Sequence, residues 1–123
     1  MQAPKIILKR IYDSYSSTDG YRVLVDRLWP RGIKKVDARL DDWAKDLAPS
    51  TALRINYNHQ PERWEEFQQK YRDELADNEQ ISHYLDKWED QAKITLLYAS
   101  KDPQFTHARV LKDFLETQYK SRA

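Results

Sequence analysis

Apolar residues form nearly continuous runs at three places in the chain and fall at helical spacing through most of the rest. "KIILKRIY", residues 5–12, mixes isoleucine and leucine with basic positions, the pattern of a strand with one face covered. "YRVLVDRL", from Tyr21, has the unbroken Val-Leu-Val centre of a strand buried on both faces. "PRG" stops it, because proline has no N–H to donate and glycine favours turning. Between these two runs "YSSTDG" supplies a turn. "ITLLYAS", residues 94–100, ends in "KDP" and predicts a third, fully covered strand.

The helical spacings are equally regular. Leu40, Trp43, Ala44 and Leu47 stand at i, i+3, i+4 and i+7, which predicts a helix capped by Asp37 and ended by Pro49. "PSTALR" predicts a short helix capped by Ser50, and Pro61 falls near the first position of a longer one carrying Trp64, Phe67, Tyr71 and Leu75 on one stripe. Ile81, Tyr84, Leu85 and Trp88 repeat the spacing, and Ala108, Leu111, Phe114 and Leu115 predict a last helix that starts near Pro103. No repeat, low-complexity tract or flexible linker divides the sequence. The pattern predicts one α/β domain over residues 1–123, three-layer-like, with a small, mainly parallel sheet covered by helices.

Composition narrows the chemistry. The sequence has 123 residues, enough to bury roughly two thirds of the surface its unfolded chain exposes. Lys plus Arg total 21 against 20 for Asp plus Glu, so there is no broad field to attract nucleic acid or a membrane, and any anion site must be local. No stretch approaches the roughly 20 apolar residues of a membrane span, and "MQAPKIILKR" lacks the features of a signal peptide, so a cytoplasmic protein is expected. With no cysteine, disulfides, thiolate nucleophiles and thiolate metal sites are excluded. His59, His83 and His107 are too far apart to make a local metal motif, so neither metal nor cofactor is expected. The only glycines, Gly20 and Gly32, cannot build a P-loop or a dinucleotide fingerprint. No Gly-x-Ser-x-Gly elbow surrounds Ser50, Thr51 or Ser100.

One constellation remains. The second and third predicted strands are joined by a long, mainly helical connection, which most easily returns the chain to a parallel neighbour. "DRLWPRG" and "SKDP" would then meet beyond the carboxyl ends of the strands, where open α/β sheets bind ligands. Arg27 and Arg31 would hold an anion by paired hydrogen bonds, Lys101 would add a point charge, and the helix start near Pro103 would offer free amides. Trp29 would stack on a base or close the pocket, and Asp26 with Asp102 would orient an arginine, hold a cation or act as a general base. His59 and His107 are both placed to reach this rim, and histidine is matched to proton transfer near neutral pH. Each of these residues also has a plain structural reading: strand-end pairing for Asp26 and Arg27, a wedge between layers for Trp29, and capping or packing for the histidines.

"DGYRVLVDRLWPRG", "LDDWAKDLAPSTALR", "HQPERWEEFQQKYRDEL", "ITLLYASKD" and "HARVLKDFL", in this order, resemble the YeaO-like family of small bacterial proteins, the domain of unknown function numbered 488. The resemblance covers nearly the whole chain. It implies an α/β domain of this length and no established reaction. Where the family pattern carries tryptophan and phenylalanine before its first histidine, this chain has Ile55, Asn56 and Tyr57; before His107 it has Thr106 in place of asparagine.

Two functions follow as expectations. In the first, the rim binds a phosphorylated or otherwise anionic small molecule, with nucleotide-related ligands among the candidates. Asp26, Asp102 and His107 are then positioned for hydrolysis, and Arg27, Trp29, Arg31, Lys101 and His59 for binding. In the second, the same rim is a noncatalytic module that grips a protein carboxylate or a nucleic-acid phosphate. The sequence leaves the oligomeric state open.

Overall fold

The computed structural model describes residues 3–122. Strands β1 (Lys5–Arg10), β2 (Tyr21–Leu24), β3 (Asp42–Trp43) and β4 (Lys93–Tyr98) form one sheet in the order β1-β4-β2-β3. Every pairing is parallel. The helices are α1 (Lys35–Ala38), α2 (Thr51–Tyr57), α3 (Trp64–Asp77), α4 (Gln80–Trp88) and α5 (His107–Arg122). The predicted α/β class and the parallel relation of the second and third apolar runs are both present.

Alternation along the strands separates two cores. Ile6, Val23, Val25, Ile94, Leu96 and Tyr98 join the apolar stripes of the long helices, including Phe67, Tyr71, Leu75, Trp88, Leu111 and Leu115. The other strand face sends Leu24, Leu97 and Ile11 into a smaller cluster with Ala38, Trp29, Leu40 and Trp43. Short helix α1 and the loops around it cover this second face, in place of a layer of long helices.

Most helix boundaries follow the sequence signals. The Ser50 hydroxyl accepts the Leu53 N–H at 3.1 Å and starts α2. Pro61 opens a single 3-10 turn, Pro61–Arg63, that runs straight into α3. In α4 all four predicted apolar positions are buried.

The segment 37–48 corrects the periodicity. Asp37 lies inside α1 and caps nothing; the helix stops at Ala38, and Arg39 takes a left-handed conformation with φ 48°. The chain then extends as β3, its Asp41 and Ala44 N–H groups donating to Arg22 and Leu24 carbonyls, each at 2.8 Å. Leu40 and Trp43 pack in the smaller core, Ala44 and Leu47 in the larger one. A helix would have put all four on one face; here the segment crosses from one side of the sheet to the other, and the open edge of β2 determines its conformation. The second correction is the last helix, which begins at His107 rather than near Pro103.

A buried ionic knot anchors the amino-terminal half. Asp19 is 4% exposed and Arg22 2%. They form an ion pair, and Lys9 reaches the same carboxylate at 3.0 Å. Arg22 Nη2 and Nε also donate to the carbonyls of Ala38 at 2.9 Å and Arg39 at 3.2 Å, while the Thr95 hydroxyl donates to the Asp19 carbonyl at 2.6 Å. This knot ties together β1, β2, β4 and the end of α1.

Gly20 makes the turn into β2 possible. Its φ is 69°, and a Cβ there would lie 2.6 Å from the Lys93 carbonyl oxygen, a backbone atom held in the sheet. Gly20→Ala is expected to lower stability by more than the roughly 1–3 kcal/mol of the backbone conformation alone, read as a fall in the urea midpoint.

Candidate functional site

Because β2 and β4 are parallel neighbours, their carboxyl ends open on the same side of the molecule. The Val25 N–H still pairs with the Leu97 carbonyl at 3.0 Å, so the chain leaves β2 in register and delivers Asp26 and Arg27 next to Ala99 and Ser100. Beyond these ends lies a cleft of about 830 Å³, within the size range of small-molecule sites. The end of β2 and its following loop supply Asp26 to Arg31, α2 and its end supply Arg54, Ile55, Tyr57, Asn58 and His59, and the start of α5 supplies His107.

At the floor the Asp26 Oδ2 accepts the Ala99 N–H at 2.9 Å, which clamps the two strand ends together. His107 Nε2 lies 2.9 Å from the Val25 carbonyl oxygen and 3.3 Å from Asp26 Oδ1. A carbonyl only accepts, so Nε2 carries its proton and donates it to Val25. Asp26 Oδ1 is thus beside an imidazole yet has no hydrogen bond, and Ser100 Oγ is a second buried oxygen without a partner. Burial raises the Asp26 carboxyl above its ordinary range, against the opposing pull of His107, the Ala99 N–H and Arg54.

The sign of that shift gives a test. A carboxyl raised in the folded state binds its proton more tightly there than in the unfolded chain, so its ionised form weakens folding above the folded pKa, and the loss is relieved as pH falls. Asn at this position keeps an acceptor for Ala99. Asp26→Asn is expected to melt at the same temperature as the parent or higher, with a larger gain at pH 8 than at pH 5.

The cleft wall carries three arginines. Arg27 is half-buried and donates to the carbonyls of Ala48 at 3.1 Å and Pro49 at 3.3 Å, so it fastens the β2 exit to the start of α2. Arg31 and Arg54 are exposed. Among the described residues none of the three forms an ion pair with an acid. The Tyr12 hydroxyl donates to the Arg31 carbonyl at 2.9 Å and holds that loop against β1.

Six of the eight predicted site residues therefore line one cleft: Asp26, Arg27, Trp29, Arg31, His59 and His107. Trp29 does so as a wedge; its indole N–H donates to the Ile33 carbonyl at 2.7 Å and its ring meets Trp43 edge-on at 5.4 Å. His59 lies at the mouth in a left-handed conformation, φ 52°, directly after left-handed Asn58. Lys101 and Asp102 are exposed and stand outside the lining. Asp102 Oδ1 accepts the N–H groups of Gln104 at 2.9 Å and Phe105 at 3.3 Å, so the amides expected to await a ligand are used in a turn. The Thr106 hydroxyl takes the Ala108 N–H at 3.3 Å, one more of the donors at the helix start.

Sequence reasoning missed Arg54. It stands between buried Leu53 and Tyr57 on α2, and only the docking of that helix turns it toward the β2 exit.

Fold and site together define a parallel α/β protein with an arginine-walled cleft at the carboxyl ends of its central strands. Residues 5–123 match the family described as the inactive DUF488-N3 subclade, and the chain belongs to this YeaO-like DUF488 family. It is 45% identical over 109 residues to the uncharacterised protein YeaO of Escherichia coli (strain K12), covering 89% of this chain and 95% of that protein. It is 41% identical over 111 residues to the uncharacterised protein Rv3073c of Mycobacterium tuberculosis (strain ATCC 25618 / H37Rv), covering 90% and 93%. No solved structure matches the chain.

Proposed function

We propose that this protein binds a phosphorylated or otherwise anionic small molecule in the cleft and does not turn it over. One observation carries this reading: Arg27, Arg31 and Arg54 line a single cleft with no acid paired to any of them among the described residues. Guanidinium groups suit the planar, paired hydrogen bonding of phosphate and carboxylate. In a chain with 21 basic and 20 acidic residues the concentration is local, which favours a small ligand over a nucleic-acid backbone.

Two points favour binding without turnover. The His107 Nε2 proton is committed to a backbone carbonyl, and the family's own description is inactive. The 3.3 Å approach of Asp26 to His107 favours a second reading, hydrolysis with Asp26 as the proton-transferring group. Calorimetric titration with a set of sugar phosphates and nucleotides, with the recovered ligand analysed by NMR, separates the two. Binding with the ligand returned intact supports the first reading. Product formation that Asp26→Asn abolishes would transfer support to the second, and a set in which nothing binds would dismiss both.

A further inference from the structure

Among the described residues, large apolar side chains that remain strongly exposed are few: Tyr12, Tyr15, Leu28, Val36 and Ile55. An isolated exposed leucine is ordinary on any surface. Here, however, three of the five line the arginine cleft, and Leu28 and Ile55 are 65% and 70% exposed. They come from different segments, Leu28 from the exit of β2 and Ile55 from α2, and each directly follows an arginine of the wall, Arg27 or Arg54. The cleft is therefore graded. Its lining runs from half-buried Asp26, Ser100 and His107 to exposed Arg31, Arg54, Leu28 and Ile55.

We infer that the ligand is an amphipathic anion, an organic phosphate ester whose charged group meets the arginines and whose apolar body covers Leu28 and Ile55. This rests on the anion-binding reading above and adds the part of the ligand that the arginines leave unspecified. A bare inorganic anion would satisfy the guanidinium groups and leave both aliphatic side chains in water. An ester with an aryl or alkyl body removes them from it. Covering what is exposed of a leucine or isoleucine adds roughly 3- to 10-fold in affinity for each. The cleft, at about 830 Å³, has room for such a body.

The test is calorimetry on the full chain with inorganic phosphate, phenyl phosphate and 2-naphthyl phosphate, repeated on Leu28→Ser, Ile55→Ser and the double variant. Both side chains are exposed, and thermal melting checks that the variants fold as the parent does. Phenyl phosphate is expected to bind about 10-fold or more tightly than inorganic phosphate, 2-naphthyl phosphate more tightly still, and the preference is expected to fall toward unity in the double variant. Equal affinity for phosphate and its aryl esters, or a preference that survives the double substitution, would overturn the inference and leave anion binding standing. No binding by any of the three would remove both together. Sedimentation that shows a dimer dissolved by the same substitutions would assign Leu28 and Ile55 to contact between copies, and would also overturn it.

Discussion

Asp19→Ala is expected to lower folding stability by about 3–5 kcal/mol, because it leaves the Arg22 guanidinium buried without its counter-charge. Against a typical total of about 5–15 kcal/mol that is a large fraction, and for a domain of this size it corresponds to a fall in melting temperature of roughly 12–20 °C. Arg22 is not free to turn outward, since its Nη2 and Nε also hold the carbonyls of Ala38 and Arg39. Burial by itself would raise the Asp19 carboxyl, but Lys9, the Ser16 amide and Arg22 outweigh it and hold the group below its ordinary range. A lowered carboxyl contributes stability that is fully present above the unfolded pKa, near 4, and disappears as pH falls through the folded one. Urea titrations of the parent from pH 6 downward should therefore show stability falling with acid, and Asp19→Ala should flatten that slope. A variant as stable as the parent at neutral pH would remove the knot from its structural role.

The second large effect concerns binding. Arg31→Ala with Arg54→Ala is expected to weaken any anionic ligand of the cleft by about 100-fold or more, since a hydrogen bond to a charged group contributes roughly 1.5–3 kcal/mol. These two arginines, rather than Arg27, are the informative ones. Arg27 also holds the Ala48 and Pro49 carbonyls, so its removal loosens the cleft as well as discharging it. Arg31 and Arg54 are exposed and make no ion pair among the described residues, and the double variant should melt within about 2 °C of the parent. Calorimetry with the tightest member of the ligand set checks this. Affinity unchanged in the double variant would mean that the anion, if bound, sits elsewhere.

Where the sequence pattern had one physical cause, it was readable. The stripes of α3, α4 and α5 are apolar because one face of each enters the larger core, so 3.6-residue spacing located them. The run Val23 to Val25 is unbroken because both its faces are covered. Residues 40–47 have the same spacing for a different reason: their apolar side chains serve two cores on opposite sides of the sheet, and one sequence period cannot show that. The site divides in the same way. Asp26 to Arg31 follow a strand end, and topology alone places them at the rim. Lys101 and Asp102 follow another strand end, yet local turn bonds draw Asp102 into a loop beside the cleft. Arg54 was illegible because its position depends on how a short helix docks, and Asp19 and Arg22 look in sequence like ordinary surface charges beside a turn.

The strand order has a consequence for how the chain matures. β1 and β2 do not pair with each other; each pairs with β4, whose residues begin at Lys93. On a ribosome, the first three quarters of the polypeptide would emerge with two apolar strands and no common neighbour to join them. Only the β2–β3 pair could form early. Cooperative structure should then arrive late and all at once, only when β4 has been made, and arrested nascent chains ending before Lys93 should remain sensitive to protease.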